Sequence, residues 1–263
     1  MFSSRAARVA LVCLLFGLTT AAAPAVASAD DYVALGDSFS SGVGTGSYTL
    51  SSSCRRGVYA YPWLVAQQRP NTSLTFVACS GARTTDVMAN QIQSVTAGTE
   101  IATITIGGND IGFSNLIVQC TLSDCSSALD NTRASLGTVL GPRLDTVYTA
   151  IRSRTLTATV VVLGYPRIFS SAGCFGTLGI SATERAKANL LADALDTLTR
   201  ERAAAAEPEL TYRSAIVPFT GHAVCSGSAW LNGLNLFNIV ESYHPNRNGN
   251  RLGYAPIVRS VVG

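Results

Sequence analysis

The sequence predicts a doubly wound α/β fold on three observations. Short runs rich in Val and Ile recur along the chain, stretches of helical pattern separate them, and small or reactive residues stand where each run stops. The first run is 31–36 (DYVALG), followed by 74–79 (LTFVAC), 101–106 (IATITI), 159–163 (TVVVL) and 212–217 (YRSAIV). Continuous apolar runs of this length suit strands covered on both faces, as in a parallel sheet. Residues 59–68 and, more weakly, 84–95 read as helices between the early strands. A third helical region, 128–154, is expected to be interrupted at Gly137 and at Gly141-Pro142. The clearest helix is 181–206, where Ser181 and Glu184 have capping-box spacing ahead of an Ala/Leu-rich run. No linker, repeat or charge block divides residues 30–263, which predicts one domain.

The chain has 263 residues, 47% hydrophobic and 13% charged, a balance that excludes an intrinsically disordered protein. A net charge of +3 is too small to grip nucleic acid. Arg5 and Arg8 precede the apolar segment 9–18 (VALVCLLFGL), and Ala27-Ser28-Ala29 supplies small residues for cleavage. Ten apolar residues suit a signal peptide better than a membrane span, so residues 1–29 are expected to be a leader and the protein to be secreted. Loss of Cys13 with the leader leaves Cys54, Cys79, Cys120, Cys125, Cys174 and Cys225. An even set in an oxidising compartment predicts three disulfides, although many pairings are open by counting alone. No Cys-x-x-Cys is present, and the chain has two histidines in all, so no metal site is expected.

Ligands of an open parallel sheet bind beyond the carboxyl ends of its strands. Gly36-Asp37-Ser38 follows the first run, Ser80-Gly81 the second, Gly107-Gly108-Asn109-Asp110 the third and Gly164-Tyr165-Pro166 the fourth. A serine hydroxyl needs a base within hydrogen-bond reach to act as a nucleophile. His244, held by Pro245, is preferred over His222 for that task. Acyl transfer also needs donors aimed at a developing oxyanion, and the backbone at Ser38, the backbone at Gly81 and the Asn109 amide are candidates. The Gly-x-Ser-x-Gly elbow is absent, because Ser40 follows Ser38 where a glycine would stand.

Gly36-Asp37-Ser38-Phe39-Ser40-Ser41-Gly42, Ser80-Gly81-Ala82-Arg83, Gly107-Gly108-Asn109-Asp110 and His244-Pro245-Asn246 together resemble the four signature blocks of the SGNH (GDSL-type) hydrolases, in the same order. With the leader and the cysteines, the likeness is greatest to secreted actinobacterial lipases and phospholipases. The resemblance implies a flavodoxin-like α/β/α sandwich, Ser38 as nucleophile, His244 as base, and an oxyanion hole from Ser38, Gly81 and Asn109. It also implies disulfides Cys54–Cys79, Cys120–Cys125 and Cys174–Cys225. The family usually carries Asp three residues before the histidine, where this chain has Glu241. Either the Glu241 carboxylate or the Ser242 backbone carbonyl is therefore expected to orient His244.

Asp37 and Asp110 are assigned structural roles, as caps or turn anchors. Arg55 and Arg56 read as solvated surface charges. Trp230, Leu231, Leu234, Leu236 and Phe237 read as packing, with an acyl-chain groove as their functional alternative. The expected function is cofactor-free hydrolysis of lipid acyl esters through an acyl-enzyme on Ser38, by a monomer whose contact with a lipid surface is transient. Activity is expected to fall as pH drops through the ordinary histidine pKa of ~6.5. Polysaccharide deacetylation and acyl transfer at the same site are the enzymatic rivals. A catalytically inactive secreted binding domain is the rival from another class.

Overall fold

The computed structural model describes residues 1–2 and 30–263; the remainder of the expected leader lies outside the described residues. Five strands, β1 (Asp30–Gly36), β2 (Thr72–Phe76), β3 (Ile101–Thr105), β4 (Thr159–Leu163) and β5 (Thr211–Arg213), form one all-parallel sheet in the order β2-β1-β3-β4-β5. This is the flavodoxin-like order, and its switch point lies between β1 and β3. β3 is buried along its whole length, which accounts for its unbroken apolar run.

Helices complete two outer layers around the sheet: α1 (Ser38–Ser41), α2 (Tyr61–Gln67), α3 (Thr84–Asn90), α4 (Phe113–Cys120), α5 (Ser126–Arg154), α6 (Ala182–Ala204) and α7 (Ala255–Val262). α2 and α7 pack together, while α5 packs against α3 and, most extensively, α6. The cap expected on α6 is present: Glu184 N donates to Ser181 Oγ at 3.2 Å and Ser181 N to Glu184 Oε2 at 2.8 Å. The other Glu184 oxygen accepts from Cys125 N at 2.9 Å, tying the start of α6 to the start of α5.

Four expectations need correction. α5 runs without a break through Gly137 and Gly141-Pro142, because Leu136, Leu140, Leu144, Val147 and Ile151 form a continuous buried stripe. That burial outweighs the lost Pro142 N–H. β2 stops at Phe76: the next residues bend, with Val77 N and Ala78 N both donating to Ala34 O and Cys79 bonded to Cys54. β5 stops at Arg213, since Ser214 Oγ donates to Asp196 and accepts from Ile216 N, a local turn that competes with the ladder. α4 was not anticipated, although Phe113, Leu116, Ile117 and Cys120 are buried at i, i+3, i+4 and i+7.

The disulfides are Cys54–Cys79, Cys120–Cys125 and Cys174–Cys225, the pairing the resemblance implies. The first fixes the long loop after α1 beside the turn that follows β2, the second closes α4 onto α5, and the third joins the loops beyond β4 and β5. At the opposite, amino edge of the sheet, Arg69 binds Asp30 at 2.7 Å and donates to the backbone oxygen of Gly263 at 2.8 Å. Among the described residues, no helix is long and apolar enough to cross a membrane.

Candidate active site

β1 delivers Ser38 to the switch point through a turn that only glycine permits. Gly36 has φ +123°, and a Cβ there would lie 2.4 Å from Thr105 O. Asp37 then caps α1, its Oδ1 accepting from Phe39 N at 2.9 Å while Oδ2 accepts from the Tyr165 hydroxyl. Burial raises the Asp37 pKa to about 7, against the opposing pull of its bonds from Tyr165 and Phe39 N. Ser38 is the first residue of α1, so its N–H has no intrahelical acceptor.

His244 meets Ser38 across 206 positions of sequence, with Nε2 2.8 Å from Ser38 Oγ. Its Nδ1 lies 2.8 Å from the Ser242 carbonyl oxygen. A carbonyl only accepts, so Nδ1 carries the proton and Nε2 is left to accept from the serine. Backbone pairing holds the loop: Asn232 N donates to His244 O at 2.9 Å, and Tyr243 N to Asn232 O at 3.0 Å. Gly44 completes the seat, since a Cβ there would fall 2.9 Å from His244 Cβ. Burial lowers the His244 pKa to about 4; the bond to Ser242 opposes this shift, and the nearby Arg55 charge reinforces it.

Of the two groups expected to orient His244, the structure brings only the Ser242 carbonyl to the ring. The Glu241 carboxylate turns away and accepts from the Tyr48 hydroxyl, which itself accepts from Gly44 N at 3.3 Å. Glu241 thus fastens the loop beyond α1 to the histidine loop. Glu241→Gln keeps an acceptor for Tyr48 and is expected to retain near-parental kcat/KM; a fall approaching ~10⁴ would instead mark the carboxylate as the orienting group. His222 is remote from this chemistry, stacked on Trp230 at 3.6 Å with Nδ1 2.7 Å from Ser228 O.

Gly81, at φ +82°, and Asn109 stand beside Ser38 on the turns that follow β2 and β3. Asn109 donates one amide hydrogen to Ala82 O at 3.0 Å, which leaves its second free for the cavity. Sequence reasoning assigned no role to Tyr165. Its hydroxyl accepts from Gly108 N at 3.1 Å while donating to Asp37, so it locks the Ser38 turn to the Asn109 turn. Its place directly after a strand was the available signal. Asp110 is structural: it accepts from Thr84 N and Oγ1 at 2.9 and 2.6 Å and from Arg143 at 3.3 Å.

Ser38, Gly81, Asn109 and His244 share one cavity of about 490 Å³, also lined by Ser80, Ser114, Asn115, Gln119 and Ser242. Its apolar wall is Val118, Leu122, Ile239 and Val240, so the groove alternative for the 230–237 cluster does not hold at this cavity. In that cluster Leu231 and Leu234 are buried, Trp230 packs on His222, and Leu236 and Phe237 line a neighbouring cavity. Arg55 and Arg56 are half-buried rather than solvated: Arg56 donates to Ala78 O at 3.2 Å, and Arg55 lies over the Tyr48 ring at 5.9 Å. Among the described residues, one grouping has metal-ligand proximity, Cys120, Cys125 and Glu184. Its sulfurs are joined to each other and its carboxylate is occupied by backbone N–H groups.

A family model for the GDSL-like lipase/acylhydrolase family matches residues 34–252. The chain belongs to that family. This GDSL-family hydrolase acts on carboxylic esters, and it is 44% identical over 252 residues to a lipase of Streptomyces rimosus, covering 94% of this chain and 92% of the relative. Among solved structures, it matches the extracellular lipase of S. rimosus with TM-score 0.83 and 44% identity. It matches phospholipase A1 of Streptomyces albidoflavus NA297 with TM-score 0.84 and 41% identity. Each match covers 89% of this chain and 100% of the solved one.

Proposed function

We propose that this hydrolase cleaves the acyl esters of lipids, in the manner of a lipase or phospholipase A, by a Ser38–His244 dyad. The observation that carries the reading is the 2.8 Å contact between Ser38 Oγ and an imidazole of fixed tautomer, in a cavity with an apolar wall. Ser38 Oγ attacks the carbonyl carbon as Nε2 takes its proton. The Ser38 and Gly81 N–H groups and the Asn109 amide receive the negative oxygen. The imidazolium returns its proton to the departing alcohol, leaving an acyl-serine. Water then attacks that ester, giving its proton to Nε2, which passes it back to Ser38 as the fatty acid leaves. The Ser242 carbonyl holds the imidazolium by its Nδ1–H throughout. These steps use protein groups of one chain, so the proposed reaction calls on neither a partner subunit nor a cofactor. The leader pattern over 1–29, the three disulfides and the extracellular lipase relative support secretion.

Product analysis on a panel of triacylglycerols, phospholipids and acetylated polysaccharides tests the substrate class. Release of long-chain fatty acid is the expected result; acetate release without lipid cleavage would overturn it. The base must be neutral, and burial keeps His244 neutral down to about pH 4. Activity rises with pH through that value, so the acid limb of kcat/KM is expected near 4, well below the ordinary ~6.5. A pH-rate profile whose acid limb stays near the ordinary value would show that the imidazole is not desolvated in the working enzyme.

A further inference from the structure

The mouth of the cavity is rimmed by exposed apolar side chains from three separate stretches of chain. Phe237 is fully exposed, and Leu122, Phe175, Leu236, Leu178 and Ile239 are between 84% and 44% exposed. Five of the six line two adjoining cavities, which meet along residues 238–241. Leu122 and Ile239 line the candidate active-site cavity, while Phe175, Leu236 and Phe237 line a second cavity of about 580 Å³ that also includes Glu241. The 175–178 turn is wedged between the other two stretches. A Cβ on Gly179 would lie 2.3 Å from Thr121 O, one on Gly233 would lie 2.5 Å from Gly176 Cα, and Leu234 N donates to Gly176 O at 2.9 Å. The three stretches, 111–123, 168–183 and 223–240, contain no Asp, Glu, Lys or Arg at all.

Exposed apolar side chains gathered around a cavity in this way mark an interaction site. We propose that the rim is a docking surface for a neutral or zwitterionic lipid layer, with Leu236 and Phe237 inserting among the acyl chains. The catalytic cavity opens beside the same apolar side chains, so docking sets the ester at the mouth without lifting its acyl chain through water. A second copy on this face would close that mouth, and among the six rim side chains a partner recognised by charge would find none to pair with. The proposal rests on the lipid-ester reading.

The test is flotation of the full chain with phosphatidylcholine vesicles, carried out on Ser38→Ala to prevent turnover, with and without L236S/F237S. The parent is expected to float equally at low and high ionic strength, since apolar insertion is not screened. The double substitution is expected to weaken vesicle binding by ~tenfold or more, given two large side chains removed from the layer. With Ser38 restored, L236S/F237S is expected to hydrolyse a soluble short-chain ester at the parental rate while losing hydrolysis of vesicle lipid. Equal flotation of both proteins would overturn the proposal, as would binding that requires anionic lipid and vanishes in salt. A loss of self-association by the double variant, with vesicle binding unchanged, would assign the face to a second copy and also overturn it. Flotation of Ser38→Ala, with no fatty-acid release from any lipid by the protein that keeps Ser38, would instead remove the lipid-ester reading and leave docking standing.

Discussion

Replacing Ser38 by alanine is expected to lower ester hydrolysis by roughly 10⁴–10⁶, because removal of such a nucleophile eliminates the acyl-enzyme route altogether. The substitution takes away one oxygen atom, the one hydrogen-bonded to His244, and α1 keeps its Asp37 cap. Fold and substrate affinity are therefore expected to survive. The measurement is a burst and steady-state assay with a p-nitrophenyl ester, beside covalent labelling of the parent by an organophosphonate. Turnover by Ser38→Ala within tenfold of the parent, or labelling at another residue, would break the proposed mechanism. A binding domain that merely keeps the fold would show neither the burst nor stoichiometric labelling.

Asn109→Ala is expected to reduce kcat by ~10²–10³ with KM little changed, the behaviour of a donor whose bond strengthens only as charge develops on the carbonyl oxygen. One hydrogen of that amide is spent on Ala82 O, so the side chain is already aimed when substrate arrives. Asn109→Asp removes the same donors while keeping the bulk of the side chain. It is nearly isosteric, yet it sets a carboxylate against an oxyanion and cannot donate to Ala82. Activity lower than or equal to that of Asn109→Ala is expected. A rise in KM with kcat intact in either variant would move Asn109 from the transition state to ground-state binding.

The strands and the strand ends were legible because burial on both faces leaves an unmistakable apolar run, and Gly36, Gly81 and Gly107 announce turns that need positive φ. Ser38 stands at one of those ends, whereas His244 does not, and its pairing with Ser38 rested on the chain having two histidines, on Pro245 and on the family resemblance. Other features left weaker traces. The group that orients His244 is a backbone carbonyl, and every residue has one, so no side-chain signal distinguished Ser242 from the conspicuous carboxylate at Glu241. The cavity wall escaped notice because α4 is short and mixes β-branched with polar residues; its buried spacing becomes plain only with α5 packed against it. The local cost of Pro142 is visible in the sequence, whereas an aliphatic stripe over many turns decides the helix. The depressed basicity of His244 depends on desolvation, a property of neighbours distant in sequence.

Arg69 gathers Asp30 and Gly263 at the amino edge of the sheet, whereas Ser38 and its cavity lie beyond the carboxyl ends of the same strands. Asp30 and Gly263, the two tails of the described fold, therefore lie on the side away from the reaction. A tether, carrier domain or solid support attached at either tail hangs behind the sheet, and the enzyme can be anchored there with its working face turned toward the oil.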